Sequence, residues 1–158
     1  MDEHAVDVDV LIVGAGITGI YQLYRALEAG FTARLVEAGD GVGGTWFWNR
    51  YPGCRFDSES YTYAYLFSQE LFDEWVWEEH FAGQPEIERY LNHVVDRFDL
   101  RRHVSFATRV TSATWDDAGA CWAVALDGGS GSGAGAGGPS DNVLRNAGAG
   151  GAATGDVP

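Results

Sequence analysis

The stretch Val10-Leu-Ile-Val-Gly14-Ala-Gly16-Ile-Thr-Gly19 constrains this chain more than any other. An apolar run stops at a pair of glycines and resumes with helical spacing, which reads as strand, tight turn, helix. The uninterrupted apolar run suits a parallel strand covered on both faces. Gly14 permits the turn, Gly16 lets a phosphate come close to the backbone, and Gly19 lets helix and strand pack together. The helix start, which includes Thr18, then presents free N–H groups and a partial positive charge to an anion. A second strand, Ala33-Arg-Leu-Val-Glu37, closes on an acid 37 − 19 = 18 residues past the last glycine. A carboxylate about 20 residues on is where an adenosine ribose is bound in dinucleotide sites. Glu37 would repel a 2′-phosphate there, so FAD or NAD fits the pattern better than NADP. The alternative for these residues is an ordinary βαβ unit with a solvated glutamate.

Periodicity extends this into an α/β domain. The first strand runs over Val8–Val13 and its helix over Ile17–Ala29, with Ile17, Ile20, Leu23, Tyr24 and Leu27 on one stripe and Gly30 at the C′ position. Gly39 to Tyr51 has neither period and reads as a loop. A short helix is expected around Gln69–Trp77, and a longer one from Gln84 to about Phe98, where Pro85 and nearby acids mark the first turn. Val104–Phe106 is a candidate third strand of the main sheet. Val110–Trp115 and Cys121–Leu126 flank Asp116-Asp-Ala-Gly119 as a β-hairpin. Past Asp127 the composition changes: 11 of the 22 glycines lie there, interleaved with Ala and Ser. Such a segment buries too little apolar surface to offset its ordering entropy. The expected division is a Rossmann-like domain over 1–126 and a flexible tail over 127–158, in which Asn142-Val-Leu-Arg145 is the one hint of a strand.

Charge and composition narrow the function. The formal net charge is −13, and all ten basic residues are arginines. Nucleic acid and anionic membrane surfaces both demand a basic face, which argues against either as a partner. Cys54 and Cys121 are too few for a disulfide framework and suit a reducing compartment. The acidic start lacks the features of a signal peptide, and no apolar run approaches the ~20 residues of a membrane helix, so a cytoplasmic protein is expected. His4, His80, His93 and His103 are scattered without metal-ligand spacing, so no metal site is expected.

Gly43-Gly44-Thr45-Trp46-Phe47-Trp48-Asn49-Arg50-Tyr51-Pro52-Gly53-Cys54-Arg55-Phe56-Asp57 is the most specific stretch. Paired glycines let backbone lie close to a ligand, Trp46, Trp48 and Tyr51 could wall a planar ring, and Asp57 offers a carboxylate beside it. From chemistry alone, the same residues fit an aromatic loop that closes a core equally well. Taken with the first motif, the stretch resembles the flavin-dependent Baeyer–Villiger monooxygenases. Their loop pattern of Gly-Gly-x-Trp, four residues, Tyr/Phe-Pro-Gly, three residues, Asp is matched throughout, and the similarity runs from Val8 to about Leu126.

The resemblance implies an FAD-binding domain. Gly14, Gly16, Thr18 and Gly19 would hold the diphosphate and Glu37 the ribose. Gly44, Thr45, Trp46 and Trp48 would lie along the cofactor, Tyr63 near its flavin side, and the backbone of Val110 by the adenine. Asp57, the candidate catalytic side chain, would lie near the flavin and pair with an arginine that helps stabilise a C4a-peroxyflavin. That species, formed after NADPH reduces the flavin, attacks a ketone. Three departures stand against this. The chain has no second Gly-x-Gly-x-x-Gly strand–turn–helix for NADPH, no Phe-x-Gly-x-x-x-His-x-x-x-Trp linker, and no assigned arginine for Asp57. Ala153-Thr-Gly155 matches a family tripeptide but lacks the apolar strand before it. Two readings follow: part of an FAD- and NADPH-dependent monooxygenase, with a partner chain supplying the missing lobe, or a non-catalytic dinucleotide-binding module or truncated remnant.

Overall fold

The structure, a computed structural model, describes residues 7–128 and 143–147. Its first layer is a three-stranded parallel sheet in the order β1 (Val10–Val13), β2 (Ala33–Val36), β3 (Val104–Ser105). Val10 pairs with Ala33 and Val13 with Val36, and Leu35 then pairs with Val104. Parallel neighbours require crossovers. Helix α1 (Ile17–Glu28) makes the first, while α2 (Thr45–Trp48), α3 (Ser60–Tyr63), α4 (Gln69–Glu74) and α5 (Gln84–Arg97) lie within the second.

The apolar stripe of α1 goes where its period sends it. Ile20, Leu23 and Ala26 are buried, and Gly30 follows the helix at φ +85°, a conformation that glycine adopts without cost. Pro85 stands in the first turn of α5, whose Ile87, Leu91, Val94 and Val95 join Ile20, Leu23 and Leu35 in one core. The expectation that β1 is covered on both faces is only half met. Ile12 is buried, but Val13 is 65% exposed. Val8 leaves the main sheet to bridge Asn146.

A second sheet is antiparallel, in the order β4 (Thr108–Asp116), β5 (Cys121–Gly128), β6 (Val143–Ala147). The hairpin is longer at each end than its apolar residues suggested. Two stretches of the expected tail are strand: β5 runs past Leu126 to Gly128, and Val143–Ala147 forms β6 where Asn142-Val-Leu-Arg145 hinted at a strand. That strand is held by its backbone: Val143 pairs with Ala125 and Ala147 with Cys121. It also holds the residues just ahead of β1, since the Arg145 carbonyl accepts from Asp7 N at 2.9 Å and the Asn146 amide donates to Asp9 O at 2.8 Å. The rest of the expected tail, with Ala153–Gly155, lies outside the described residues. Among those described, no helix is long and apolar enough to cross a membrane, and no group of three or more side chains could hold a metal ion.

Tyr90 at the centre of α5 gives the fold an alkaline limit. Its hydroxyl accepts the Tyr65 N–H at 2.8 Å, and burial pushes its phenol up to about 12. In the unfolded chain a tyrosine ionises near about 10, so this stabilisation is complete below that pH and is lost as pH rises through the folded value. The unfolding midpoint should therefore hold up to about pH 10 and fall between there and about 12. A Tyr90→Phe variant followed by circular dichroism should show a shallower fall, and an equal fall would assign the limit to other groups.

Candidate functional site

The site begins at the carboxyl end of β1. Gly14 sits at φ +94°, where a side chain is strained whatever room surrounds it. A Cβ on Gly19 would stand 1.9 Å from the Gly14 carbonyl oxygen, so only glycine lets α1 start this close to the turn. Gly16 is the N-cap of α1, and no side chain caps it. The first-turn N–H groups are thus left for solvent or a ligand.

The second motif docks on the first. Gly43 N donates to the Ala15 carbonyl at 2.9 Å. Gly44, at φ +56°, lies so near Gly16 that a Cβ would stand 2.7 Å from its Cα. Between them the chain wraps the ring of Phe47, which would lie 2.7 Å from a Cβ on Gly39 and 2.9 Å from one on Gly41. Phe47 was not among the predicted site residues; glycines at 39, 41, 43 and 44 ahead of an aromatic were the signal. The Thr45–Trp48 segment, expected as loop, is the short helix α2.

These contacts create a groove of about 310 Å³. Gly14, Gly16, Thr18 and Gly19 line it from the first motif, Thr45 and Trp46 from the second, and Tyr63 from α3. The Trp46 indole N–H donates to the Tyr63 hydroxyl at 2.9 Å, fixing both rings. A larger cavity of about 490 Å³ shares Ile17 and Thr18, but it is walled by Tyr21, Tyr65, Leu66 and Phe67 with no charged lining residue.

Glu37 stands behind the turn instead of in the groove. It is 5% exposed, and its carboxylate accepts from Ala15 N at 2.6 Å and Gly39 N at 2.7 Å. One side chain thereby ties the first glycine turn to the loop of the second motif. A buried carboxylate is tolerated only with such donors.

Besides Glu37, the predicted site residues Trp48, Asp57 and Val110 lie apart from the groove. Trp48 is 60% exposed and rests by Gly39. It is two residues from Trp46 on a helix, so the two side chains leave in nearly opposite directions. Asp57 is exposed and has no hydrogen-bond or ion partner among the described residues. Val110 lies in β4 opposite Leu126, beside a register shift. Its strand reaches the site only at its start, where Thr108 N donates to the Glu37 carbonyl at 2.8 Å.

Comparison with known proteins agrees with this geometry. Residues 12–75 match the family described as an NAD(P)-binding Rossmann-like domain. Over 119 residues the chain is 50% identical to the 2-oxo-Delta(3)-4,5,5-trimethylcyclopentenylacetyl-CoA monooxygenase of Pseudomonas putida, covering 75% of this chain and 22% of that one. It is 41% identical over 124 residues to a Baeyer–Villiger monooxygenase of Pseudooceanicola batsensis, covering 78% and 23%. The solved structure of OTEMO in complex with FAD and NADP superposes with a TM-score of 0.78 at 42% identity, covering 90% of this chain and 24% of that one. The chain thus spans under a quarter of the length of each. In sequence and fold the chain matches the N-terminal Rossmann lobe of the Baeyer–Villiger-type flavoprotein monooxygenases.

Proposed function

We propose that the groove between the two glycine motifs holds FAD, and that this lobe is the flavin-binding part of an NADPH-using monooxygenase that oxygenates ketones. The observation that carries the reading is the seam of Gly43 on Ala15 and Gly44 on Gly16, which puts both motifs on one groove. The residues fit such a cofactor: an uncapped helix start faces the side-chain-free backbone of Gly14 and Gly16, and a carboxylate lies just behind. Gly14, Gly16, Thr18 and Gly19 would hold the diphosphate, which a helix N-terminus favours. Glu37 would take the ribose through its remaining lone pairs, and Val110 would offer its backbone to the adenine. Gly44, Thr45, Trp46 and Tyr63 would lie along the flavin side. When bound, FAD supplies the redox and oxygen chemistry, and this chain supplies its placement. The residues that receive NADPH and the ketone would come from elsewhere in a longer polypeptide or from a partner chain. The free thiols of Cys54 and Cys121 support a cytoplasmic setting.

One observation favours a second reading, a dinucleotide-binding module without chemistry of its own: Asp57 is exposed and unpaired among the described residues. A flavin titration separates the readings. Saturable quenching of FAD fluorescence, reversed by ADP, is expected in either case. Bleaching of the bound flavin by NADPH in the absence of oxygen, measured with the rest of the longer polypeptide or the partner chain present, supports the monooxygenase, and a flavin that binds but resists NADPH under those same conditions supports the module. No binding at all would refute both.

A further inference from the structure

We infer that Gln84, Glu88 and Arg50, none of which lines the groove, form a bracket that sets the position of α2 and through it the flavin half of the site. The inference rests on the FAD reading above. Helix α2 has four residues, too few to be stable by itself. Carbonyls at the end of so short a helix need partners from outside it, and they have them. Gln84 is 6% exposed at the start of α5. Its side-chain amide donates to the Trp46 carbonyl and, at 2.8 Å, to a Glu88 carboxylate oxygen. Arg50 donates through Nε to the Phe47 carbonyl at 2.8 Å and pairs through Nη2 with the other Glu88 oxygen at 2.5 Å. Two successive carbonyls of α2 are therefore gripped by side chains that meet on one carboxylate. Gln84 N also donates to Cys54 O at 2.8 Å, so α5 is fastened to the chain on the far side of α2 as well.

Trp46 is thereby held at both ends, its main chain by Gln84 and its indole by Tyr63. Burying an amide costs free energy unless its hydrogen bonds are made, and an apolar residue of similar size would serve packing alone. What the glutamine adds is a fixed direction for the Trp46 backbone. Gln84 is accordingly a positioning residue, acting on the ligand through α2. The glycine turn does not depend on this bracket, because its ties run to Glu37 and Val36 and to Gly43 ahead of α2, none of which Gln84, Arg50 or Glu88 holds.

That separation supplies the test. The full chain and its Gln84→Met, Arg50→Gln and Glu88→Gln variants are titrated with FAD and with ADP. ADP carries the diphosphate and adenosine but no flavin. Gln84→Met should weaken FAD binding about tenfold, the scale of one lost hydrogen bond, and leave ADP binding within about twofold. Arg50→Gln, an exposed change that leaves folding unthreatened, should move FAD in the same direction. Glu88→Gln keeps an acceptor for Gln84 and should lose less than Gln84→Met. Equal losses for FAD and ADP, or unchanged FAD affinity in both Gln84→Met and Arg50→Gln, would overturn the bracket. A wild-type chain that binds neither ligand would overturn the FAD reading itself and the bracket with it.

Discussion

Replacing Gly19 with alanine should cost the protein both stability and its dinucleotide site. The new methyl would meet the Gly14 carbonyl oxygen at 1.9 Å and its carbon at 3.1 Å, and both are backbone atoms that cannot swing away. Helix α1 must therefore lift off the end of β1, opening the core around Ile20 and Leu23. Forcing atoms into a packed region typically costs about 1–3 kcal/mol, and a clash with rigid backbone belongs at the top of that range or above it. For a domain of this size, that corresponds to a fall in melting temperature of roughly 10 °C. FAD affinity should disappear with the turn. Gly16→Ala is the informative contrast, because its methyl would lie 3.6 Å from the Gly44 Cα, an ordinary contact. That variant should melt like the parent yet bind FAD poorly, since the methyl projects where a diphosphate must come close. Thermal unfolding and a flavin titration on both variants check the pair, and an unshifted melting temperature for Gly19→Ala would refute the packing argument.

Glu37→Ala should come next in size. It leaves the N–H groups of Ala15 and Gly39 without their acceptor in a buried place. Each buried donor left unsatisfied costs about 1–3 kcal/mol, which is a large share of the roughly 5–15 kcal/mol that holds a typical domain together. Glu37→Gln is not a full rescue. Its amide offers one acceptor oxygen and turns an NH₂ group toward a donor, so it should fall between parent and alanine. FAD binding should weaken by about 1–3 kcal/mol in the fraction that remains folded. Chemical denaturation read alongside ligand titration separates the two effects. Undiminished stability with lost affinity would make Glu37 a ligand contact alone, and the reverse would make it a brace alone.

Where backbone stereochemistry decides, the sequence was readable. Gly14 and Gly30 stand at positive φ, and Gly19 fills a place with no room for a Cβ, so each glycine announced its own position. Proline in the first turn of α5 and the apolar stripes of α1 and α5 did the same for the helices. What escaped was structure made by distant partners. Helix α2 exists because Gly44 turns into it and because Gln84 and Arg50 hold its carbonyls, and Gln84 is 38 residues from its partner. Strand β6 was hinted at by Asn142-Val-Leu-Arg145, but its extent is set by pairing with β5 and by contacts with Asp7 to Asp9, which no period reveals. Glu37 was found by spacing, but its two backbone donors could be seen only in three dimensions. Trp48 and Asp57 were expected in the site by family pattern; both are exposed side chains, and neither lines the groove.

The most direct test is an experimental structure of the chain with FAD. The diphosphate is expected over the start of α1, between Gly14, Gly16 and Thr18, with the ribose beside Glu37 and the flavin extending past Trp46 toward Tyr63. Density for the cofactor in the apolar cavity of Tyr21 and Phe67, or with its diphosphate away from α1, would contradict this placement.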